Sequence, residues 1–284
     1  MSGILITGTS GFIGRALAES MVKNHEVFCI SRQPTEVEAV TAIQGDFTSP
    51  DDLQKINPNQ IDVVVHLAAV TGGGSEEEQL RVNVMGSYQL VRYFLDGGCK
   101  KFVLASSIAA VGFQSPLFRP LQLPMPDEHP CLDRIGYGFS KYLMEEVSRY
   151  LARQNEDLDF INIRLASIAP DDRELTPKKV GPVGQWAMGS ISYMYLSDTV
   201  RCLTLAAEAS HKPGVRILNA VGTQACAEDT VPEIIRGWYG ADADQIDLSH
   251  YTRPGHERDP VYEIHRIEKE LGFVPERSVL GNEE

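Results

Sequence analysis

Ile4-Leu5-Ile6-Thr7-Gly8-Thr9-Ser10-Gly11-Phe12-Ile13-Gly14 is a short apolar run followed by glycines at three-residue intervals. The run reads as a buried strand, and Arg15 to Lys23 beyond it has helical character. Glycines at these spacings allow a tight turn, a close backbone approach to a pyrophosphate, and close packing of helix on strand. Free N–H groups at the start of such a helix suit phosphate oxygens. Strand, turn and helix stand in the order this reading needs. A glycine-rich connection without a ligand is the alternative.

Working outward, strands and helices alternate. Glu26–Ile30 reads as a second strand and Val40–Gln44 as a third, ending near Asp46. Ile61–Leu67 is a near-continuous apolar run, as expected of a parallel strand covered on both faces. Glu76–Leu95 reads as one long amphipathic helix closed by Gly97-Gly98. Lys101–Ser106 and Leu158–Arg164 read as strands on either side of a helix over Arg134–Gln154. Ser197–Ala209 (with Ser197 or Asp198 near its cap), Val215–Asn219 and Glu263–Leu271 follow as helix, strand and helix. This order predicts the α/β class with a doubly wound parallel sheet. Residues 1–166 would form the dinucleotide-binding domain. Residues 167–284 would be mainly a small C-terminal substrate-binding lobe, with about 197–221 returning to the main domain. Two irregular stretches, Ser115–Pro130 and Pro170–Ser192, are expected to supply substrate loops.

Composition narrows the function classes. The chain has 284 residues, 43% hydrophobic and 23% charged, which is ordinary for a globular protein with a large core. A net charge of −13 argues against non-specific binding to nucleic acid or to an anionic membrane. No stretch is long and apolar enough to span a bilayer. The first strand begins almost at Met1, which leaves no room for a signal peptide and gives a cytoplasmic expectation. Cys29, Cys99, Cys131, Cys202 and Cys226 are scattered, odd in number and without C-x-x-C spacing, so neither a disulfide framework nor a zinc site is indicated. The seven histidines form no H-x-x-x-H pair, and no metal is expected.

Tyr137 and Lys141 stand four apart in Y-G-F-S-K, a spacing that puts both on one face of a helix. A phenol near an ammonium forms a plausible proton-transfer pair, because the cation favours the phenolate. The second strand ends in Ser31 and Arg32 rather than in an acid. A hydroxyl and a guanidinium suit a 2′-phosphate, so NADP(H) is the preferred cofactor and NAD the alternative.

Ordered motifs run through nearly the whole chain: T-G-T-S-G-F-I-G (Thr7–Gly14), G-D-F (Gly45–Phe47), H-L-A-A (His66–Ala69), V-N-V-M-G (Val82–Gly86), S-S-I-A-A-V-G (Ser106–Gly112) and Y-G-F-S-K. Arg164, the segment around Asp198, R-P-G (Arg253–Gly255) and L-G-F-V-P (Leu271–Pro275) continue them. With these the chain resembles the extended short-chain dehydrogenase/reductase family, whose members include nucleotide-sugar epimerases, dehydratases and reductases on a Rossmann-type fold. The resemblance implies Tyr137 as general acid/base, Lys141 as its activator and ribose ligand, and Ser107 as the hydroxyl that binds the substrate oxygen. It places Thr7, Gly8, Gly11, Phe12, Ile13 and Gly14 at the cofactor phosphates and Asp46 and Phe47 at the adenine. Leu67, Ala68 and Ala69 would line the cofactor at a strand end, with Asn83 on the helix beside it. Plainer readings stay open: Ser107 as a turn cap, Asn83 as a helix-stabilising hydrogen-bonder, His66 as strand-end packing and Asp198 as a helix cap. A homodimer through the Glu76–Leu95 and Arg134–Gln154 helices is also implied.

The substrate is less sharply marked. Family dehydratases carry an Asp-Glu pair just after the catalytic hydroxyl, where this chain has Ile108 and Ala109, so dehydration is disfavoured. Ser167 stands where epimerases often have an asparagine, and the arginine expected within Ser190–Leu196 is missing. Arg253 matches a phosphate-binding arginine; Arg173, Lys178 and Lys179 are possible substitutes for the missing one. Three functions follow: an NAD(P)-dependent epimerase or ketoreductase of a nucleoside-diphosphate sugar, a reductase of a smaller carbonyl or sugar compound, and a non-catalytic cofactor sensor.

Overall fold

The computed structural model describes residues 2–277. β1 (Gly3–Thr7) leads through the glycine turn into α1 (Phe12–Met21), β2 (Glu26–Ser31), β3 (Thr41–Gln44), the short α2 (Pro50–Leu53) and β4 (Val63–His66). Next come α3 (Glu76–Gln79), a π-helical segment Leu80–Gly86, α4 (Ser87–Asp96), β5 (Lys101–Ser107), α5 (Gly136–Gln154) and β6 (Asp159–Leu165). β7 (Ser167–Ala169), β8 (Tyr193–Tyr195), α6 (Leu196–Glu208), β9 (Gly214–Ala220), α7 (Val231–Tyr239) and α8 (His265–Leu271) complete the order.

Seven strands form one sheet in the order β3-β2-β1-β4-β5-β6-β9. β1 pairs in parallel with β2 and β4, β2 with β3, and β4 with β5. The chain thus builds the doubly wound α/β sheet that its alternation predicts. Strand order reverses at β1, and in such sheets ligands bind at the carboxyl ends of the strands around that reversal. β1 and β4 are buried along their length, which explains their unbroken apolar character.

Two compact units are distinguished. The first takes the described residues up to Ser106, with Ser140–Ile163 and Val200–Ile217. Its core packs Leu5, Val64, Phe94, Phe102 and Phe160 between strands and helices. The second takes Ser107–Phe139, Arg164–Thr199 and the described residues from Leu218 onward. Its core gathers Ile108, Met125, Ile235, Trp238, Tyr251 and Tyr262.

Several local readings need correction. The expected single helix Glu76–Leu95 is broken in type: a π-helical stretch carries Asn83 between two α-helical pieces. The helix expected from Arg134 begins at Gly136. A small two-stranded parallel ladder, β7 with β8, went unread; it brackets the irregular stretch Pro170–Ser192. α7 went unread, although a capping box of Thr230 and Glu233 opens it. Asp198 lies inside the first turn of α6, and its carboxylate accepts the backbone N–H groups of Glu276 (2.9 Å) and Arg277 (3.1 Å). Among the described residues no helix is long and apolar enough to cross a membrane.

Candidate cofactor pocket and catalytic residues

In the first unit a cavity of ≈ 560 Å³ lies at the carboxyl ends of β1, β2 and β4. Gly8, Gly11, Ser31, Arg32, Asp46, Phe47, Leu67, Ala68 and Ala69 line it, as do Ser10, Val70, Glu78 and Arg81, which the sequence did not single out. Thr7, Phe12, Ile13, Gly14 and Asn83 are not in its lining. Gly8 has φ +77°, which a side chain rarely adopts, and a Cβ on Gly14 would lie 2.4 Å from the Gly8 carbonyl oxygen. Gly14 therefore shapes the turn from behind. The N-terminus of α1 has no side-chain cap and no acid in its first turn, so its N–H groups are open to an anion. Geometry and donor set both fit a dinucleotide diphosphate.

Hydrogen bonds inside this unit fix the pocket's floor. Thr7 Oγ1 accepts the N–H groups of Leu67 and Ala68 (both 3.1 Å), so its proton goes to His66 Nδ1 at 2.7 Å. His66 is fully buried, and desolvation followed by the Lys141 charge depresses its pKa to about 3. The imidazole is therefore neutral and carries its proton on Nε2, which donates to Ser87 Oγ at 2.9 Å. Ser87 in turn donates to the Asn83 carbonyl at 2.6 Å. The Asn83 amide brackets Val70, accepting from its N–H (2.8 Å) and donating to its C=O (2.9 Å), and also donates to Ser140 of α5 at 3.0 Å. Asn83 thus holds the loop that lines the cavity and stays buried itself. His66 packs at the strand end, as its plainer reading had it, and also links two elements.

Other expected contacts are partly committed elsewhere. Ser31 Oγ donates to Ser10 Oγ at 2.7 Å, within the turn. Arg32 is exposed at the cavity edge. Asp46 Oδ1 accepts from the Thr48 N–H and hydroxyl, which organises the bend after β3. Lys141 is 4% exposed; its Nζ donates to the Ala105 carbonyl at 2.7 Å. Burial depresses its pKa to about 8, opposed by the Glu145 charge.

In the second unit, Ser107 caps the turn Ile108–Val111 by accepting from the Ala109 N–H at 3.1 Å. It also shares a hydrogen bond with Tyr137. The cap leaves the hydroxyl proton of Ser107 free for the phenolic oxygen, so capping and pairing coexist. Burial raises the Tyr137 pKa, and the Ser107 hydrogen bond opposes it. The sequence reading has the lysine favour the phenolate; burial is the larger influence on the phenol.

The residues expected to bind substrate are engaged. Ser167 Oγ donates to the Gly189 carbonyl at 2.9 Å. Arg253 donates from Nη2 to His250 Nδ1 (2.7 Å) and from Nε to the His250 carbonyl (3.2 Å). Since guanidinium only donates, His250 carries its proton on Nε2 and gives it to Asp259 at 2.7 Å. His256 joins the same carboxylate at 2.8 Å. These three side chains are close enough to share a cation. The tautomer imposed by Arg253 removes the His250 lone pair from that point, so they form a hydrogen-bonded network.

The model of the NAD dependent epimerase/dehydratase family matches residues 4–220. A dTDP-4-dehydro-6-deoxyglucose reductase of Escherichia coli is 24% identical over 237 residues, 73% of each chain. A UDP-glucose 4-epimerase of Pisum sativum is 26% identical over 57% of this chain, which spans 51% of the relative's length. Among solved structures, MoeE5 in complex with UDP-glucose and NAD superposes with a TM-score of 0.68 at 21% identity, covering 98% of this chain and 94% of the other.

Proposed function

The chain belongs to the NAD dependent epimerase/dehydratase family, and from that premise we propose that it is an NAD(P)-dependent oxidoreductase or epimerase of a nucleoside-diphosphate sugar. The cavity at the glycine turn takes the dinucleotide, with the first unit as cofactor-binding unit and the second as substrate-binding unit. When bound, the nicotinamide supplies and accepts the hydride. Tyr137 moves the accompanying proton to or from the sugar hydroxyl. With substrate in place, Ser107 turns its one proton from the phenol to the same oxygen and stabilises charge as it develops there. Lys141 holds the ribose and contributes a positive charge. The carrying observation is the hydrogen bond that joins Tyr137 to Ser107 at the head of α5.

A second reading, reduction of a smaller carbonyl or sugar compound, draws on Arg253. Its guanidinium is occupied by His250, and Asp259 and Asp247 lie in the same region, so a diphosphate meets competition there. A thermal-shift screen of UDP- and dTDP-sugars against small sugar acids, with each cofactor present, separates the two. Stabilisation by sugar nucleotides that is lost in Arg253→Ala supports the first reading. Response to small compounds alone supports the second. Tyr137→Phe should lower turnover by about a hundredfold or more while keeping cofactor-induced stabilisation; unchanged turnover overturns the proposed chemistry.

A further inference from the structure

We propose that Glu145, one helical turn beyond Lys141 on α5, is the buried counterion that keeps the Lys141 ammonium charged, and so acts as a positioning residue for the reaction proposed above, on which this rests. Lys141 has lost nearly all contact with water, and its Ala105 partner is a neutral carbonyl. An ammonium there is unstable without a compensating negative charge. Among the described residues His66, from β4, and Glu145, from its own helix, act on its charge, while Tyr137, one turn before it, is kept neutral by burial. His66 is neutral, with its pKa depressed to about 3. Glu145 alone of these offers opposite charge, and it raises the Lys141 pKa against the effect of burial.

Glu145 is itself fully buried. Its Oε1 accepts the Ser106 hydroxyl proton at 2.6 Å, a length typical of a hydroxyl donating to a carboxylate. A glutamate buried in mid-helix is costly unless another charge answers it. The end of β5 is thus tied twice to α5, by Ala105 to Lys141 and by Ser106 to Glu145. Ser106 directly precedes Ser107, so the second tie also steadies the strand end from which the substrate-facing hydroxyl projects.

Glu145→Gln tests this, because glutamine keeps an acceptor for Ser106 and removes only the charge. The readout is NADH and NADPH affinity against pH, with the oxidation-direction pH–rate profile beside it. In the wild type, cofactor affinity falls on the alkaline side as Lys141 loses its proton, and Lys141→Met abolishes that limb. Glu145→Gln should move the limb to lower pH by about one unit or more, and Glu145→Asp should return it toward the wild-type position. A limb unmoved in Glu145→Gln overturns the counterion role, even where Tyr137→Phe is inactive and the reaction itself stands. Turnover unaffected by Tyr137→Phe would overturn the reaction, while the shift of the affinity limb still reports on Glu145. Should Glu145→Gln not fold, Lys141→Met/Glu145→Gln should fold, since removing both charges costs less than stranding one. A double variant no more stable than the single one refutes the pairing.

Discussion

At the scale of single residues, burial sets the chemistry more than sequence spacing suggests. The four-residue interval from Tyr137 to Lys141 was legible because helical geometry alone dictates it, but the penalty of taking both groups out of water was not. Glu145 drew no reading from the sequence, since nothing local marks a buried glutamate. Arg32, exposed at the cavity edge with no acid at the end of β2, is the residue on which the expected NADP preference rests. Arg32→Ala should weaken NADPH binding by about tenfold and leave NADH binding little changed; a wild type that prefers NADH would refute the NADP assignment. Asp127 makes a second residue-level prediction. Its Oδ1 accepts the Asn219 N–H at 2.6 Å, yet burial raises the carboxyl pKa to about 7. The folded state keeps this proton up to about pH 7, whereas an unfolded chain releases it near 4. Stability from this group is therefore present at low pH and lost as pH rises from about 4 to about 7, the reverse of a salt-bridged carboxylate. Asp127→Asn should raise Tm relative to wild type at pH 8 more than at pH 5; parallel Tm curves would contradict this.

At the scale of elements, buried strands and glycine-closed helices were readable because hydrophobic runs and turn residues mark them directly. The π-helical segment was not. One extra residue per turn leaves the apolar pattern almost untouched, yet it determines which way Asn83 projects. β7 and β8, three residues each, are too short for any periodicity to appear. The junction of the Ser107 turn with α5 depends on close approach: a Cβ on Gly138 would sit 2.3 Å from the Ala109 carbonyl oxygen and 2.5 Å from Asp133 Oδ2. Asp133 also receives the Phe139 N–H at 2.7 Å near the head of α5. Gly138→Ala should push Tyr137 away from Ser107 and reduce kcat by about tenfold or more, with cofactor affinity nearly intact. Wild-type kcat in that variant would show the approach to be unimportant.

At the scale of the whole molecule, the doubly wound sheet and its pocket were legible in the order of motifs, whereas substrate identity was not, because no motif shows that Ser167 is held by the distant Gly189 and Arg253 by its near neighbour His250. A homodimer through α4, the preceding π-helical segment and α5 accords with the exposed Met85, Phe139 and Tyr150 on those elements. Sedimentation should show a dimer that Met85→Glu converts toward monomer; a wild-type monomer at micromolar concentration would remove the assembly. The bonds from Thr7 through His66 and Ser87 to Asn83 have a wider consequence, since every proton along them points the same way. Such wiring is directional: a link replaced by a group of opposite polarity sets two donors, or two lone pairs, against each other, and the mismatch passes to the next link. Evolution is thus free to vary the rim of the cavity one position at a time, while its floor changes only in concert.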